Sequence, residues 1–461
     1  MATPNPLRIP NTTTPRIILH GGAGNITPTN LPPEKWTLYK SALLSILSTC
    51  TTLLQKDPSA RALDIATHAV TLFESNALFN CGHGAVFTRA GTIELEASVM
   101  VSDAAGFRKR GCGVMAVSRV KHPILLAKEM LVRGEEEDGG GAYAHVQLSG
   151  RTVEELAKGW GLEMCEPSAH FTKRRWDEHK RGLEREREGK RGGAEPRFPP
   201  GDPSWDGREY LPQGTVGAVV LDRFGTICVA TSTGGLTNKL PGRIGDTPTL
   251  GAGYWAEEWM EDAPSIPAQM SYRPGEPSLP DSLNNLSRGN IKDFLGECFP
   301  YISPTHEINY AYSPTRSDSS GSGGKTPTQG IHNIAATSTS PFLARRRRAV
   351  AMSGTGNGDS FLRLSAARTA AAMSRFSTPA LPLQTAVSRM AGSGGALQES
   401  AGDRWGRTGE GEGGIIGIEV CCAADGSSES GVVWDFNCGG MFRAWVDDSG
   451  RQRCMVFKDE Y

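Results

Sequence analysis

Two hydrophobic periods run along this 461-residue chain, and where they change marks its elements. Arg16-Ile-Ile-Leu-His20 is a short apolar run entering Gly21-Gly-Ala-Gly24, which predicts a buried strand feeding a glycine turn. From 34 to 75 the spacing becomes helical, with Trp36, Tyr39, Leu43, Leu44 and Leu47, then Ala62, Ile65, Ala66, Val70, Leu72 and Phe73. Residues 79–100 read as a glycine-rich turn followed by strands over 84–88 and 92–97. Residues 111–120 read as another strand, 123–132 as a helix and 153–160 as a shorter helix. Ordered sequence resumes at 213 and runs to about Met260, then returns over 349–373. The last predicted strands, 414–422 and 431–437, precede Gly440-Met-Phe-Arg-Ala444.

Between these blocks the pattern lapses. Residues 1–15 are rich in Pro and Thr and read as a flexible N-terminus. Residues 173–192 are densely charged with both signs, and Pro/Gly-rich sequence continues to 212. Two apolar side chains, Trp176 and Leu183, cannot bury a helix face, so 173–212 reads as a solvated linker. Residues 261–340, rich in Pro, Ser, Gly and Asn, read as a low-complexity disordered insertion, and 391–412 as a flexible Gly/Ser loop. Arg345 to Arg348 form a four-arginine run at the edge of the insertion.

Charge and composition narrow the function. Lys and Arg total 49 against 50 Asp and Glu, so no basic field argues for nucleic acid, and the arginine run has no companion basic surface. No apolar run approaches the ~18 residues of a membrane span, and the start lacks a signal-peptide layout. Ten scattered cysteines without a C-x-x-C pair read as reduced thiols, and the expectation is a soluble cytoplasmic protein. Three motifs fail. Ser319-Ser-Gly-Ser-Gly-Gly-Lys-Thr326 lacks the first glycine of a phosphate-binding loop, no serine lies in G-x-S-x-G, and Cys81-x-His83 has no second pair for a metal. Glycine is the anomaly: 56 residues, about 12% against a usual ~7%, many clustered beside hydroxyl residues.

One such cluster is a hairpin. Residues 215–221 and 226–231 are β-branched and apolar, and Asp222-Arg-Phe-Gly225 separates them. Pairing Asp222 with Thr226 sets Thr215 opposite Thr233 at the open end. Alone, that is an ordinary cross-strand threonine pair. Downstream, Leu240-Pro-Gly-Arg-Ile-Gly-Asp-Thr-Pro248 carries Arg243 and Asp246. A guanidinium forks onto a carboxylate and an aspartate pairs with an ammonium, so together they suit an amino acid's α-carboxylate and α-amine. As a surface ion pair they would contribute little. A further glycine loop, Ser353-Gly-Thr-Gly-Asn-Gly-Asp359, offers a hydroxyl and backbone N–H groups, the donors an oxyanion needs; it could equally be a plain loop or anion nest.

His20-Gly-Gly-Ala-Gly24, Phe79-Asn-Cys-Gly-His-Gly84, Gly214-Thr-Val-Gly-Ala-Val, Ala230-Thr-Ser-Thr-Gly-Gly-Leu-Thr-Asn-Lys239, Gly242-Arg-Ile-Gly-Asp246, Gly251-Ala-Gly253 and Ser353-Gly-Thr-Gly-Asn-Gly358 occur in this order. Together, with Phe436-Asn-Cys-Gly-Gly-Met441, they resemble the plant-type L-asparaginase/isoaspartyl peptidase branch of the N-terminal-nucleophile hydrolases. The resemblance covers about 16–170, 213–258, 348–373 and 413–445.

The resemblance implies an α+β, four-layer αββα sandwich made as an inactive precursor. Cleavage between Gly214 and Thr215 would give an α-subunit part, 16–214, and a β-subunit part, 215–461. It implies Thr215 as nucleophile, Thr233 orienting it, Arg243 and Asp246 holding substrate, Thr355 with Gly356 as oxyanion hole, and Gly358 lining the substrate site. Asn80 occupies the family's asparagine beside the nucleophile. The implied partners are a small amino-acid or isoaspartyl dipeptide substrate and a second cleaved αβ unit. No cofactor is implied beyond a structural sodium ion on backbone carbonyls of roughly 73–83. Glu96 stands where the family usually has Asp, and Cys438 where a small hydroxyl residue is common; Cys81 and His83 also depart from its turn. The insertion replaces what is usually a short connection.

The activity expected is hydrolysis of L-asparagine and of β-aspartyl peptides. A taspase-like threonine endopeptidase and a glycosylasparaginase are the nearest alternatives, and an unprocessed scaffold is the non-enzymatic one. The Thr233-Gly-Gly-Leu-Thr-Asn-Lys239 run and Asp246 favour the small-substrate branch.

Overall fold

The computed structural model describes residues 13–103, 106–191, 214–262 and 345–459. The first half runs β1 (Arg16–Gly24), α1 (Pro33–Lys56), α2 (Ala62–Glu74), β2 (Leu95–Val101), β3 (Gly111–Val117), α3 (Pro123–Val132), β4 (Gln147–Ser149), α4 (Gly150–Gly159) and α5 (Lys173–Arg191). The second runs β5 (Val216–Leu221), β6 (Ile227–Thr233), β7 (Tyr254–Asp262), β8 (Arg345–Gly356), α6 (Gly358–Leu364), α7 (Ala366–Phe376), α8 (Leu383–Ala391), α9 (Ala396–Ala401), β9 (Gly413–Cys422), β10 (Ser428–Phe436), β11 (Gly440–Val446) and β12 (Gln452–Met455).

Eight strands form one sheet in the order β12-β11-β1-β5-β6-β2-β3-β4, and four form a second in the order β10-β9-β8-β7. The β5–β6 hairpin lies inside the large sheet with the expected register, from Leu221 opposite Ile227 to Val216 opposite Ser232. Its turn is set by Asp222, whose Oδ1 accepts the Phe224 and Thr226 N–H groups, while Gly225 takes φ +79. The same carboxylate's Oδ2 accepts the Ala62 N–H and so caps α2.

Alternation along the strands positions the site. Val216, Ala218, Val220, Cys228 and Ala230 pack towards helices α1–α3, whereas Val219, Leu221, Ile227 and Val229 pack against Ala349, Ala351, Ile416 and Ile418 of the second sheet. On the far side of that sheet, Val350, Met352 and Ile415 pack with Ala367, Ala370, Leu383 and Val387 of α7 and α8. By the same parity His20, Ser98, Thr215, Gly217, Thr231, Thr233, Ser353 and Thr355 belong to the face between the sheets. At one end of that layer, apolar side chains give way to hydroxyls.

Several expectations change. Residues 84–88 form no strand. The charged segment 173–191 is helix α5, not a solvated linker: Arg175 is fully buried, and Trp176 packs edge-on against Phe87. Its buried residues are Arg175, Glu178 and His179, with Trp176 partly buried beside them, a face that a count of aliphatic residues misses. The 391–412 segment contains α9 instead of being wholly a loop. The arginine run belongs to β8, where Arg346 pairs with Glu261, Arg347 with Glu258 and Arg348 with Glu419. The rest of the 261–340 insertion, the 192–212 part of the linker and residues 1–12 lie outside the described residues. The nine described cysteines are free thiols. Among the described residues no helix is long and apolar enough to cross a membrane.

Candidate active site

Thr215 stands at the mouth of the hairpin, just before β5, and is buried. A Cβ on the preceding Gly214 would lie 2.5 Å from Thr355 Oγ1, 2.6 Å from Gly22 Cα and 2.7 Å from the Ala23 nitrogen. The Gly214–Thr215 link is therefore enclosed by the irregular, glycine-rich end of β1, where the strand continues through the expected turn, on one side and by the end of β8 on the other. Gly217, two residues on, has no room for a side chain because His20 Nε2 and Ser353 Oγ each lie 2.3 Å from where a Cβ would sit. Those two atoms are hydrogen-bonded at 2.7 Å, joining the sheets beside the threonine. Burial pushes His20 down to about 3, so its ring is neutral at physiological pH.

Arg243 and Asp246 meet at the start of α6. A Cβ on Gly358 would be 2.6 Å from Asp246 Oδ1 and 2.9 Å from Arg243 Nη2, so this glycine leaves the space in which the two groups converge. Arg243 Nη2 also donates to Asp359 Oδ1 at 3.0 Å. Arg243 Nε, Asp246 Oδ2 and Thr355 Oγ1 are buried without a hydrogen-bond partner. Burial raises Asp246 to about 7, against the pull of the Arg243 guanidinium. Three unpartnered polar atoms in one small region are costly to a fold, and they are the groups expected to face an amino acid. Gly356, at φ +143, has no space for a Cβ beside the Glu412 oxygen.

A family model described as Asparaginase matches residues 13–261. The chain belongs to the asparaginase family. It is 35% identical over 335 residues to the isoaspartyl peptidase of Salmonella typhimurium, a match covering 68% of this chain and 98% of that protein. It is 38% identical over 240 residues to the isoaspartyl peptidase of Escherichia coli, covering 52% and 67%. It is also 32% identical over 246 residues to the isoaspartyl peptidase/L-asparaginase of Danio rerio, covering 53% and 67%.

In this asparaginase-family chain the Thr215 hydroxyl is bonded to Thr247 Oγ1 at 2.8 Å, a partner that the motif comparison did not single out. Thr233 Oγ1 accepts the Gly235 N–H at 3.0 Å. Asn80 supports that turn: Nδ2 donates to the Gly235 oxygen at 2.8 Å, and its own carbonyl accepts the Gly234 N–H. Glu96 accepts the Gly245 N–H and faces Lys239 Nζ at 3.6 Å in a buried pair. Helix α5 grips both flanking segments. Arg175 Nε donates to the Gly84 oxygen at 2.7 Å, and His179 is bonded to Asn238, which sits at φ +59.

Among the described residues no group of three or more His, Cys, Asp or Glu is arranged to hold a metal ion. The carbonyl-held sodium ion implied for 73–83 fits in part. A Cβ on Gly84 would meet the Phe79 and Ala77 oxygens at 2.5 and 2.9 Å, so two carbonyls converge there. The Leu78 and Gly84 oxygens are instead taken by Arg175, and the Glu74 oxygen by the His83 N–H.

Proposed function

We infer that this chain is a self-processing threonine amidohydrolase that hydrolyses L-asparagine to L-aspartate and ammonia and cleaves β-aspartyl peptides. The observation that carries this reading is the cluster of unpartnered buried atoms, Arg243 Nε, Asp246 Oδ2 and Thr355 Oγ1, beside a threonine whose upstream neighbour is a tightly enclosed glycine. The two sheets with helices packed on their outer faces support a four-layer αββα sandwich. The names of the relatives support the substrate class.

In the uncut chain the Thr215 nitrogen is an amide and has no basicity. Attack of Thr215 Oγ on the Gly214 carbonyl carbon breaks the C–N bond, and the hydroxyl proton passes to the departing nitrogen, leaving a Gly214 ester on Thr215 and a free threonine amine. Water then hydrolyses the ester to a Gly214 carboxylate and restores the Thr215 hydroxyl. An α-amine has a pKa of ~7.7–8.0, so a useful fraction is neutral and accepts the hydroxyl proton. Thr215 Oγ then bonds to the substrate's side-chain carbonyl carbon, and ammonia or an amino acid leaves with that proton. Water completes the cycle by releasing aspartate. Arg243 forks onto the substrate α-carboxylate, Asp246 takes its ammonium, Thr355 and the Gly356 N–H receive the oxyanion, and Gly358 keeps the cradle open. Asn80 and Thr233 act by fixing the 233–235 turn. No step passes through a metal.

A denaturing gel with N-terminal sequencing, paired with ammonia release from asparagine and amino-acid release from isoaspartyl dipeptides, tests this. Two fragments, the second beginning at Thr215, are expected. A single unbroken chain with full activity would overturn it.

A further inference from the structure

The contact between Thr215 and Thr247 is the most direct one the nucleophile's hydroxyl makes, and it joins residues 32 apart in sequence. Thr247 is not loosely placed. The oxygens of three consecutive peptides, 246 to 248, are all engaged. The Asp246 oxygen accepts the Thr249 and Gly253 N–H groups at 3.0 and 3.1 Å. The Thr247 oxygen accepts Ser98 Oγ at 2.6 Å, and the Pro248 oxygen accepts Gln147 Nε2 at 2.7 Å. Ser98 Oγ is held in turn by Thr231 Oγ1 at 2.6 Å, from the strand paired with β5. Pro248 adds a covalent restraint, because the residue before a proline is confined to extended backbone. Gly113 packs so closely that a Cβ there would lie 2.1 Å from the Pro248 oxygen.

A hydroxyl mounted on a segment pinned from β2, β4 and its own loop is pre-organised, unlike a freely rotating surface threonine. We propose that Thr247 is a positioning residue whose hydroxyl holds the Thr215 hydroxyl in the rotamer used for self-cleavage and for attack on substrate. This rests on the reading of Thr215 as nucleophile. A threonine hydroxyl is too weak a base to take the proton; its work is orientation. The adjoining Asp246 is carried on the same pinned segment, so one rigid piece of chain sets both the substrate's ammonium and the attacking oxygen.

The test is Thr247→Val, which keeps the shape and removes the hydroxyl, beside Thr247→Ser, which keeps it. Precursor cleavage is followed on a gel over time, and kcat and KM are measured on the fully cleaved fraction. For Thr247→Val both the cleavage rate and kcat fall on the order of tenfold with KM unchanged, since one orienting hydrogen bond is lost. Thr247→Ser returns both to within about threefold. Ser98→Ala, which removes the shorter of two hydrogen bonds to the Thr247 carbonyl (the other, from Thr231 Oγ1, is 3.4 Å) but spares the Thr247 hydroxyl, gives a smaller loss in the same direction. Parental cleavage and kcat in Thr247→Val, a serine variant as slow as the valine one, or a change confined to KM would each overturn the proposal. Failure of the underlying reading is separate: Thr215→Ala would then still cleave and hydrolyse.

Discussion

Gly358 and Asp246 are so close that a single methyl group on the glycine would lie 2.6 Å from the carboxylate oxygen. Gly358 opens helix α6, where alanine is normally the better residue. Gly358→Ala therefore tests space and not backbone strain. The expected result is a cleaved protein of near-parental thermal stability with KM for asparagine raised on the order of tenfold or more. Unchanged saturation would remove Gly358 from the substrate site.

Arg243 presents Nη2 towards Gly358 and Asp359, and its Nε is buried without a partner. A lysine keeps the charge but loses the planar fork. Arg243→Lys is expected to raise KM on the order of tenfold with a smaller effect on kcat, read from steady-state ammonia release.

Asp246 links binding to pH. Its folded-state value is about 7, raised chiefly by burial from an ordinary 3.8. The folded state thus holds the proton more tightly, and ionisation costs it stability. That penalty is complete above about pH 7 and is relieved as pH falls towards 4. Asp246→Asn should therefore unfold at higher denaturant at pH 8, by roughly 1–3 kcal/mol, with the advantage vanishing near pH 4. Substrate binding moves the other way. In the role proposed for Asp246, the parental carboxyl becomes neutral below pH 7 and loses its hold on the substrate ammonium, so KM is expected to rise. The asparagine variant should bind weakly at every pH. Matching pH profiles of KM in the two proteins would contradict this.

Arg175 is fully buried in α5, with its guanidinium on the Gly84 and Leu78 oxygens and on Glu178. Arg175→Ala leaves those acceptors and the Glu178 charge without it, which should cost roughly 3–5 kcal/mol in urea or guanidinium unfolding. Arg181→Ala, on the outer part of the same helix, is expected to change stability by less than about 0.5 kcal/mol. Equal losses would deny α5 its docked role.

Local pattern alone determined a large part of this protein. Helices α1 to α3, the β5–β6 hairpin and its register were legible because apolar periodicity and an Asp-x-x-Gly turn are local signals. The parity that turns Thr215 and Thr233 towards the same face follows from that register. Motif order made the family recognisable. Tertiary structure decided what no local signal carries. A charged segment became a docked helix because Arg175 and His179 found carbonyl and amide partners far away in sequence. Four arginines became a strand because glutamates on neighbouring strands neutralise three of them. Thr247 reached the Thr215 hydroxyl only because two sheets and a pinned loop brought it there. Periodicity records which side chains avoid water, whereas hydrogen bonds between distant residues depend on where the folded backbone places their atoms.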